Sequence, residues 1–193
     1  MPERSNFKNA SKQPFGRLYR FLGGLKLAGH RELTLTAPIT PVDIPPLLVL
    51  PLLQHIGEPA EALVKPGDTV RTGQMIARPV GMVSAPVHAS GSGTVVAIEP
   101  RPVPHPSALL ADCIVIETDG RDQWLESAGG LPDYRAVEPQ VLLERIREAG
   151  IVGLGGAGFP TRVKLASGKQ RIDTLIINGA ECEPYITCDN RLL

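Results

Sequence analysis

Thirteen of the 19 prolines in this chain fall between Pro38 and Pro106. Proline fixes φ, lacks an N–H donor and breaks helix interiors. That stretch therefore cannot be a helical bundle and has to be built from short strands punctuated by turns. Leu47–Leu53 is an apolar run, and Ala62-Leu63-Val64 leads into the Pro-Gly turn Lys65-Pro66-Gly67-Asp68. Thr69-Val70 and Gln74–Arg78 read as strands on either side of Gly73. Val87-His88-Ala89, the Gly91-Ser92-Gly93 turn and Thr94–Glu99 follow. Asp112–Thr118 is the clearest strand and ends at Asp119-Gly120. Strands of four to eight residues at this density predict a small all-β barrel or sandwich over residues 38–120.

The pattern changes after residue 120. Glu138-Pro139 opens a helical stretch, with Pro suited to the first helical position. Val141, Leu142, Arg145 and Ile146 recur at helical spacing, Glu144 and Glu148 are expected outward, and Gly150 ends the helix. A second, short helix is predicted from Pro160, carrying Val163, Lys164 and Leu165. Ser167-Gly168-Lys169 is a loop, and Ile172–Ile177 reads as a buried parallel strand. These elements are the opening of an α/β domain over residues 121–193. One strand cannot make a sheet, so that domain is expected to be incomplete within these residues.

Composition narrows the function classes. A hydrophobic share of 42% is enough for a packed core. No apolar run approaches the ~18 residues of a membrane-spanning helix, and the basic N-terminus has no apolar segment of a secretory signal behind it. Net charge is zero, yet residues 1–31 hold seven basic side chains and one acid, Glu3, which makes 1–37 a basic N-terminal arm. Such an arm is either a solvated tail or a surface for an acidic partner or anionic lipid. Nucleic acid is not expected. Cys113, Cys182 and Cys188 form no CxxC, so the chain cannot itself supply four thiolates to an iron–sulfur cluster, and no metal site is predicted.

The richest chemistry lies in Ile151–Thr161. Gly153, Gly155 and Gly158 satisfy GxGxxG, but a helix precedes them where a dinucleotide fingerprint needs a strand, and no Gly-Lys-Ser/Thr follows. Four glycines in six positions, with Gly156, let backbone approach a ligand closely, and exposed N–H groups before a helix favour phosphate. Lys164 can add positive charge and Phe159 a flat apolar face. A tight packing turn would use the same residues. Asn178 to Pro184 offers a second group: Asn178 can bond a ring edge, while Glu181 and Glu183 suit ribose hydroxyls or ring nitrogens. An exposed acidic loop would look the same.

Gly153-Leu-Gly-Gly-Ala-Gly-Phe-Pro-Thr161 with Lys164, followed by Asn178-Gly-Ala-Glu-Cys-Glu-Pro184, resembles the flavin and NADH site of the C-subunit family of Rnf/Rsx electron transport complexes. The pair of motifs is also similar to that of the flavoprotein subunit of respiratory complex I, where Arg and Asp stand at the positions of Leu154 and Ala180. Phe21-Leu-Gly-Gly24, Pro51-Leu-Leu-Gln-His-Ile-Gly57, Val64-Lys-Pro-Gly-Asp-Thr-Val70, Ala85-Pro-Val-His-Ala-Ser-Gly-Ser-Gly-Thr94 and His105-Pro-Ser-Ala-Leu109 extend the Rnf resemblance upstream. It implies an α+β chain, with a barrel-sandwich hybrid similar to biotinyl and lipoyl carriers followed by the start of an FMN/NADH-binding domain. Gly153, Gly155, Gly156 and Gly158 would cradle the FMN phosphate, and Lys164, Asn178 and Glu181 would contact FMN. Phe159 would lie near the nicotinamide and Glu183 would help hold NADH. A carrier displays a lysine at the tip between its halves, whereas Gly81-Met-Val-Ser-Ala-Pro86 has none, so neither lipoylation nor biotinylation is expected.

The family implication is an electron-entry subunit. It would work with the other subunits at the cytoplasmic face of a bacterial inner membrane, as a peripheral protein, and couple electron flow to ion movement. Two [4Fe–4S] clusters would sit in a further region of the full-length protein, and these 193 residues alone are expected to be inactive. Two other readings are a docking module that uses only its β domain, and a flavoprotein of the complex I type.

Overall fold

A computed structural model describes residues 27–104, 107–126, 130, 133–166 and 172–192. Phe21–Gly24, His105, most of the basic arm and the Ser167–Lys169 loop lie outside them. The chain divides into two compact units. Pro38–Ile177 forms one, and Asn178–Leu193 joins the residues before Pro38 in the other. Among the described residues no helix is long and apolar enough to cross a membrane.

Among the described residues the larger unit is built on seven strands: β1 (Leu47–Pro51), β2 (Glu61–Ala62), β3 (Thr69–Val70), β4 (Met75–Arg78), β5 (Val87–His88), β6 (Gly93–Pro102) and β7 (Leu110–Thr118). They form two antiparallel sheets, ordered β1-β7-β6-β3 and β2-β4-β5. β7 is central in its sheet: Leu48 and Val95 flank Ile116 from the two sides. Ile114 and Ile116 point to one face of β7 and join Val70, Ile76, Val87 and Val95 in the core. Each such side chain, fully buried, contributes about 1.5–3 kcal/mol. Cys113 and Val115 point to the opposite face and are also buried, so the apolar run in β7 is continuous rather than alternating. Burial pushes the Cys113 thiol above its usual pKa.

The turns explain the registers. Lys65–Asp68 closes on itself, with the Asp68 N–H donating to the Lys65 carbonyl and the Lys65 N–H to the Asp68 carboxylate. β6 shifts register between Val95 and Ala97, a bulge that turns Val96 outward. β6 and β7 run longer than the four to eight residues expected. Their hairpin continues through Pro100 and Pro102, which pair with Asp112 and Leu110, while β3 pairs only with Gly93 and Thr94. Leaving the barrel, Asp119 accepts from the Ser92 hydroxyl and the Arg121 N–H, which holds its carboxyl below the usual carboxylate pKa.

α1 (Pro139–Glu148) begins at the proline as expected. It ends in a Schellman motif: Gly150, at φ +68°, donates to Arg147, and Ile151 donates to Ile146. Glu144 is not turned away from the protein. Its carboxylate sits 3.3 Å from Arg147 and 3.5 Å from Arg162 of α2 (Thr161–Leu165), tying the two helices.

Ile172–Ile177 departs from the sequence reading. It forms no strand, and Ile176 is 84% exposed. A strand exists through its neighbours' ladder, and a buried parallel strand also needs helices over both faces. None of the described strands pairs with this segment. In the smaller unit, a 3-10 turn (Arg31–Leu33) and α3 (Cys188–Leu192) are elements the sequence did not announce. His30 stacks on Tyr185 at 5.0 Å between ring centroids, and the Tyr185 N–H donates to the Gly29 carbonyl.

Candidate functional site

Ile151–Thr161 folds as a closed loop. Val152 and Pro160 form a β-bridge, the Gly153 N–H donates to the Phe159 carbonyl at 2.9 Å, and the Thr161 N–H donates to Ile151 at 3.0 Å. These three ties pinch the loop's base, so Leu154–Ala157 stands out from it. Leu154 is 91% exposed, and nothing lies within 4 Å of where a Cβ would be at Gly155 or Gly156. The backbone there is accessible to a ligand.

Lys164 comes back over this loop from α2. Its Nζ lies 3.1 Å from the position a Cβ would take at Gly153 and 5.6 Å from the centre of the Phe159 ring. Lys164, Phe159 and the open glycines therefore make one surface, cationic and partly aromatic, as the residue pattern suggested. α2, with five residues, is too short to add much dipole field of its own. The positive character of the site rests on Lys164.

Gly158 differs from its three neighbours. It is buried at φ +58°, and a Cβ there would lie 2.6 Å from the Gln54 carbonyl oxygen and 2.8 Å from the His55 Cα. Its glycine is a packing requirement against the β domain, not an opening for a ligand. The Ile56 N–H reaches the same place and donates to the Ala157 carbonyl at 2.9 Å. Gln54, His55 and Ile56 are thus part of the site's support. Sequence reasoning gave them no role, because a contact a hundred residues away in the chain leaves no periodicity.

Beside the loop lies a cavity of about 310 Å³, lined in part by His55, His88, Gly150, Val152 and Leu154. His88 packs against Gly150 and hydrogen-bonds the main chain of Glu148. Burial lowers its pKa from the usual 6.5, and that hydrogen bond partly offsets the shift. With the folded value below the unfolded one, the unfolded chain binds more protons in between, so stability is full above pH 6.5 and declines as pH falls through that window. The melting temperature of the full-length protein is expected to drop as pH falls below about 6.5, and His88→Gln to flatten part of the drop. An unchanged slope in the variant would remove His88 as a cause.

Asn178, Glu181 and Glu183 belong to the smaller unit. Asn178 is exposed and its side-chain carbonyl accepts from the Ala180 N–H, an Asx turn. Glu183 is exposed. Glu181 is engaged within its own unit: its carboxylate accepts the Asn190 N–H at the start of α3 and faces Cys188 Sγ at 3.6 Å. Burial and this carboxylate raise the Cys188 pKa. A cavity of about 480 Å³ in this unit is lined by Arg31, Gly179, Glu181 and Asn190, among others.

Against known proteins, residues 19–121 match the family model described as the RnfC barrel sandwich hybrid domain. The chain belongs to the RnfC family. Residues 146–193, which hold the glycine loop, Lys164 and the Asn178–Pro184 segment, match the Nuo51 FMN-binding domain. The α+β class expected from the sequence, a barrel-sandwich hybrid followed by the start of an FMN-binding domain, is the one these matches give.

Similar proteins are named as the C subunit of an ion-translocating oxidoreductase complex. That of Pseudomonas aeruginosa is 51% identical over 177 residues, covering 91% of this chain and 23% of the relative. Those of Edwardsiella ictaluri (49% identical, 92% of this chain, 22% of the relative) and Vibrio cholerae (48%, 92%, 23%) are similar to the same extent. This RnfC-family chain spans about a quarter of the length of the curated relatives it matches.

Proposed function

We propose that this chain is the flavin-binding, electron-entry part of the C subunit in an ion-translocating oxidoreductase complex. The observation that carries the reading is the ammonium of Lys164 held over Gly153, beside the open backbone of Gly155 and Gly156. That donor set fits an anionic phosphate with a flat ring system alongside, and it lies in the stretch similar to an FMN-binding domain. FMN, when bound, supplies the exchange between a hydride donor, here NADH, and one-electron iron–sulfur acceptors such as two [4Fe–4S] clusters elsewhere in the full-length protein.

The protein's own part is to bind and orient. Gly153, Gly155 and Gly156 present main chain to the phosphate, and Lys164 neutralises its charge. Phe159 offers an apolar face to the nicotinamide side. Asn178 and Glu183 are the residues proposed to contact the flavin and NADH, and Glu181, occupied at the start of α3, shapes their loop. The complex's other subunits and the cytoplasmic face of the inner membrane are the proposed surroundings, with the basic side chains of residues 1–31 available to acidic partners or lipid.

Lys164→Ala tests the reading. A charge-assisted hydrogen bond contributes about 1.5–3 kcal/mol, so FMN affinity of the full-length protein is expected to fall about ten- to a hundredfold. Flavin fluorescence quenching measures it, and anaerobic bleaching of the bound flavin by NADH checks the donor. Wild-type protein that binds no FMN, or a variant with undiminished affinity, would overturn the assignment.

A further inference from the structure

We infer that His55 is a positioning residue for the glycine loop, and that the tip of the barrel sandwich, Gly81–Pro86, acts through it as a brace. The inference rests on the flavin reading above and concerns what holds that site in shape. His55 is only 8% exposed. Its Nε2 lies 3.1 Å from both main-chain N and O of Ala85, and its Nδ1 lies 3.1 Å from the Ile56 carbonyl. With the proton on Nδ1, the ring donates to Ile56 and accepts from the Ala85 N–H, so both nitrogens are satisfied and the ring is locked between tip and loop support.

The rest of the tip grips the same segment. The Ser84 hydroxyl donates to the Glu58 carbonyl at 2.9 Å, and the Glu58 N–H donates to the Val83 carbonyl at 3.1 Å. Residues 55–58 are thus held from the tip at both ends. From that segment, the Ile56 N–H holds Ala157, and Gln54 and His55 form the floor under Gly158. On the other side, the Arg147 guanidinium of α1 donates to the Gly81 carbonyl at 3.3 Å. The path from tip to glycine loop is a continuous set of hydrogen bonds and backbone packing, and His55 is the buried side chain in it that bonds the tip directly. A carrier domain would display a lysine from this place. Here the tip has none, and its main chain is spent on a fixed contact.

The test uses the full-length protein and two readouts: FMN affinity, and hydrogen exchange of residues 150–160 in FMN-free protein. His55→Ala is expected to speed exchange in the loop about tenfold and to weaken FMN about ten- to a hundredfold, from lost bonds and polar groups left buried without partners. His55→Gln, whose amide oxygen can take the Nε2 place and accept the Ala85 N–H, is expected to recover most of both, whereas His55→Asn, which reaches only the Nδ1 position, is not. Ser92→Ala serves as control, since the Ser92 hydroxyl bridges Asp119 and Gln123 at the barrel exit, and it is expected to leave both readouts unchanged. Wild-type exchange and affinity in His55→Ala, or an equal loss in Ser92→Ala, would overturn the inference. If Lys164→Ala weakens FMN while His55→Ala changes nothing, the role of His55 fails alone. If His55→Ala frees the loop while Lys164→Ala keeps full affinity, the flavin reading is what fails.

Discussion

Gly158→Ala is expected to cost the full-length protein its flavin, with affinity lowered by at least about a hundredfold. Two effects combine at this position. The backbone is left-handed, at φ +58°, where an L side chain costs about 1–2 kcal/mol. The added methyl would also meet the Gln54 carbonyl at 2.6 Å and the His55 Cα at 2.8 Å. Both are backbone atoms, so no flexible side chain can move aside, and relief requires the loop to lift from residues 54–56. Lifting it breaks the bond from Ile56 to Ala157 and displaces the open glycines from Lys164. Gly155→Ala is the comparison: nothing lies within 4 Å of its Cβ position, so the loop keeps its shape. FMN titration of the two variants should separate them clearly, and Gly158→Ala with normal affinity would show that the loop does not depend on this packing.

Ile116→Ala is expected to destabilise the β domain by about 2–5 kcal/mol, the range for truncating a buried Ile where the surroundings collapse only partly. Ile116 is fully buried on the central strand, between Leu48 and Val95. For a unit of this size that is a fall of about 6–20 °C in melting temperature, read by calorimetry of the full-length protein. Val96→Ala, at the outward bulge of β6, should shift it by less than about 2 °C. Equal effects from the two substitutions would contradict the assignment of β7 as the core strand.

The β domain was largely legible in the sequence because its signals are local. Pro66-Gly67 fixes a turn, Gly73 separates two strands, and Thr69-Val70 and Asp112–Thr118 carry their pattern within a few residues. Pro139 and Gly150 mark a helix by the same kind of local chemistry. Ile172–Ile177 misled for the opposite reason. Its β-branched run states a preference for burial in a sheet, but the partners that would realise it are not in the sequence window itself. The candidate site was half legible. Gly153–Thr161 and Lys164 were found from residue type and spacing, and the structure brings them together. The support from Gln54, His55 and Ile56 was not found, since it depends on chain folding back across about a hundred residues. The capping of α3 by Glu181 was missed as well, because the helix it serves has only five residues and a weak pattern.

The two prolines in the distal half of β6 have a consequence for how this protein behaves in a crowded solution. Beyond Val95, whose N–H and carbonyl still bond Asp68 and Gly67, that strand's ladder runs on one side, with β7, and an unmatched row of main-chain donors would be a template on which a second molecule could stack. Pro100 and Pro102 interrupt the row at alternate residues, and neither has a hydrogen to offer. The barrel's longest strand therefore offers fewer donors along its outer edge to a second molecule, and the residues that first restricted the chain to short strands also blunt that edge.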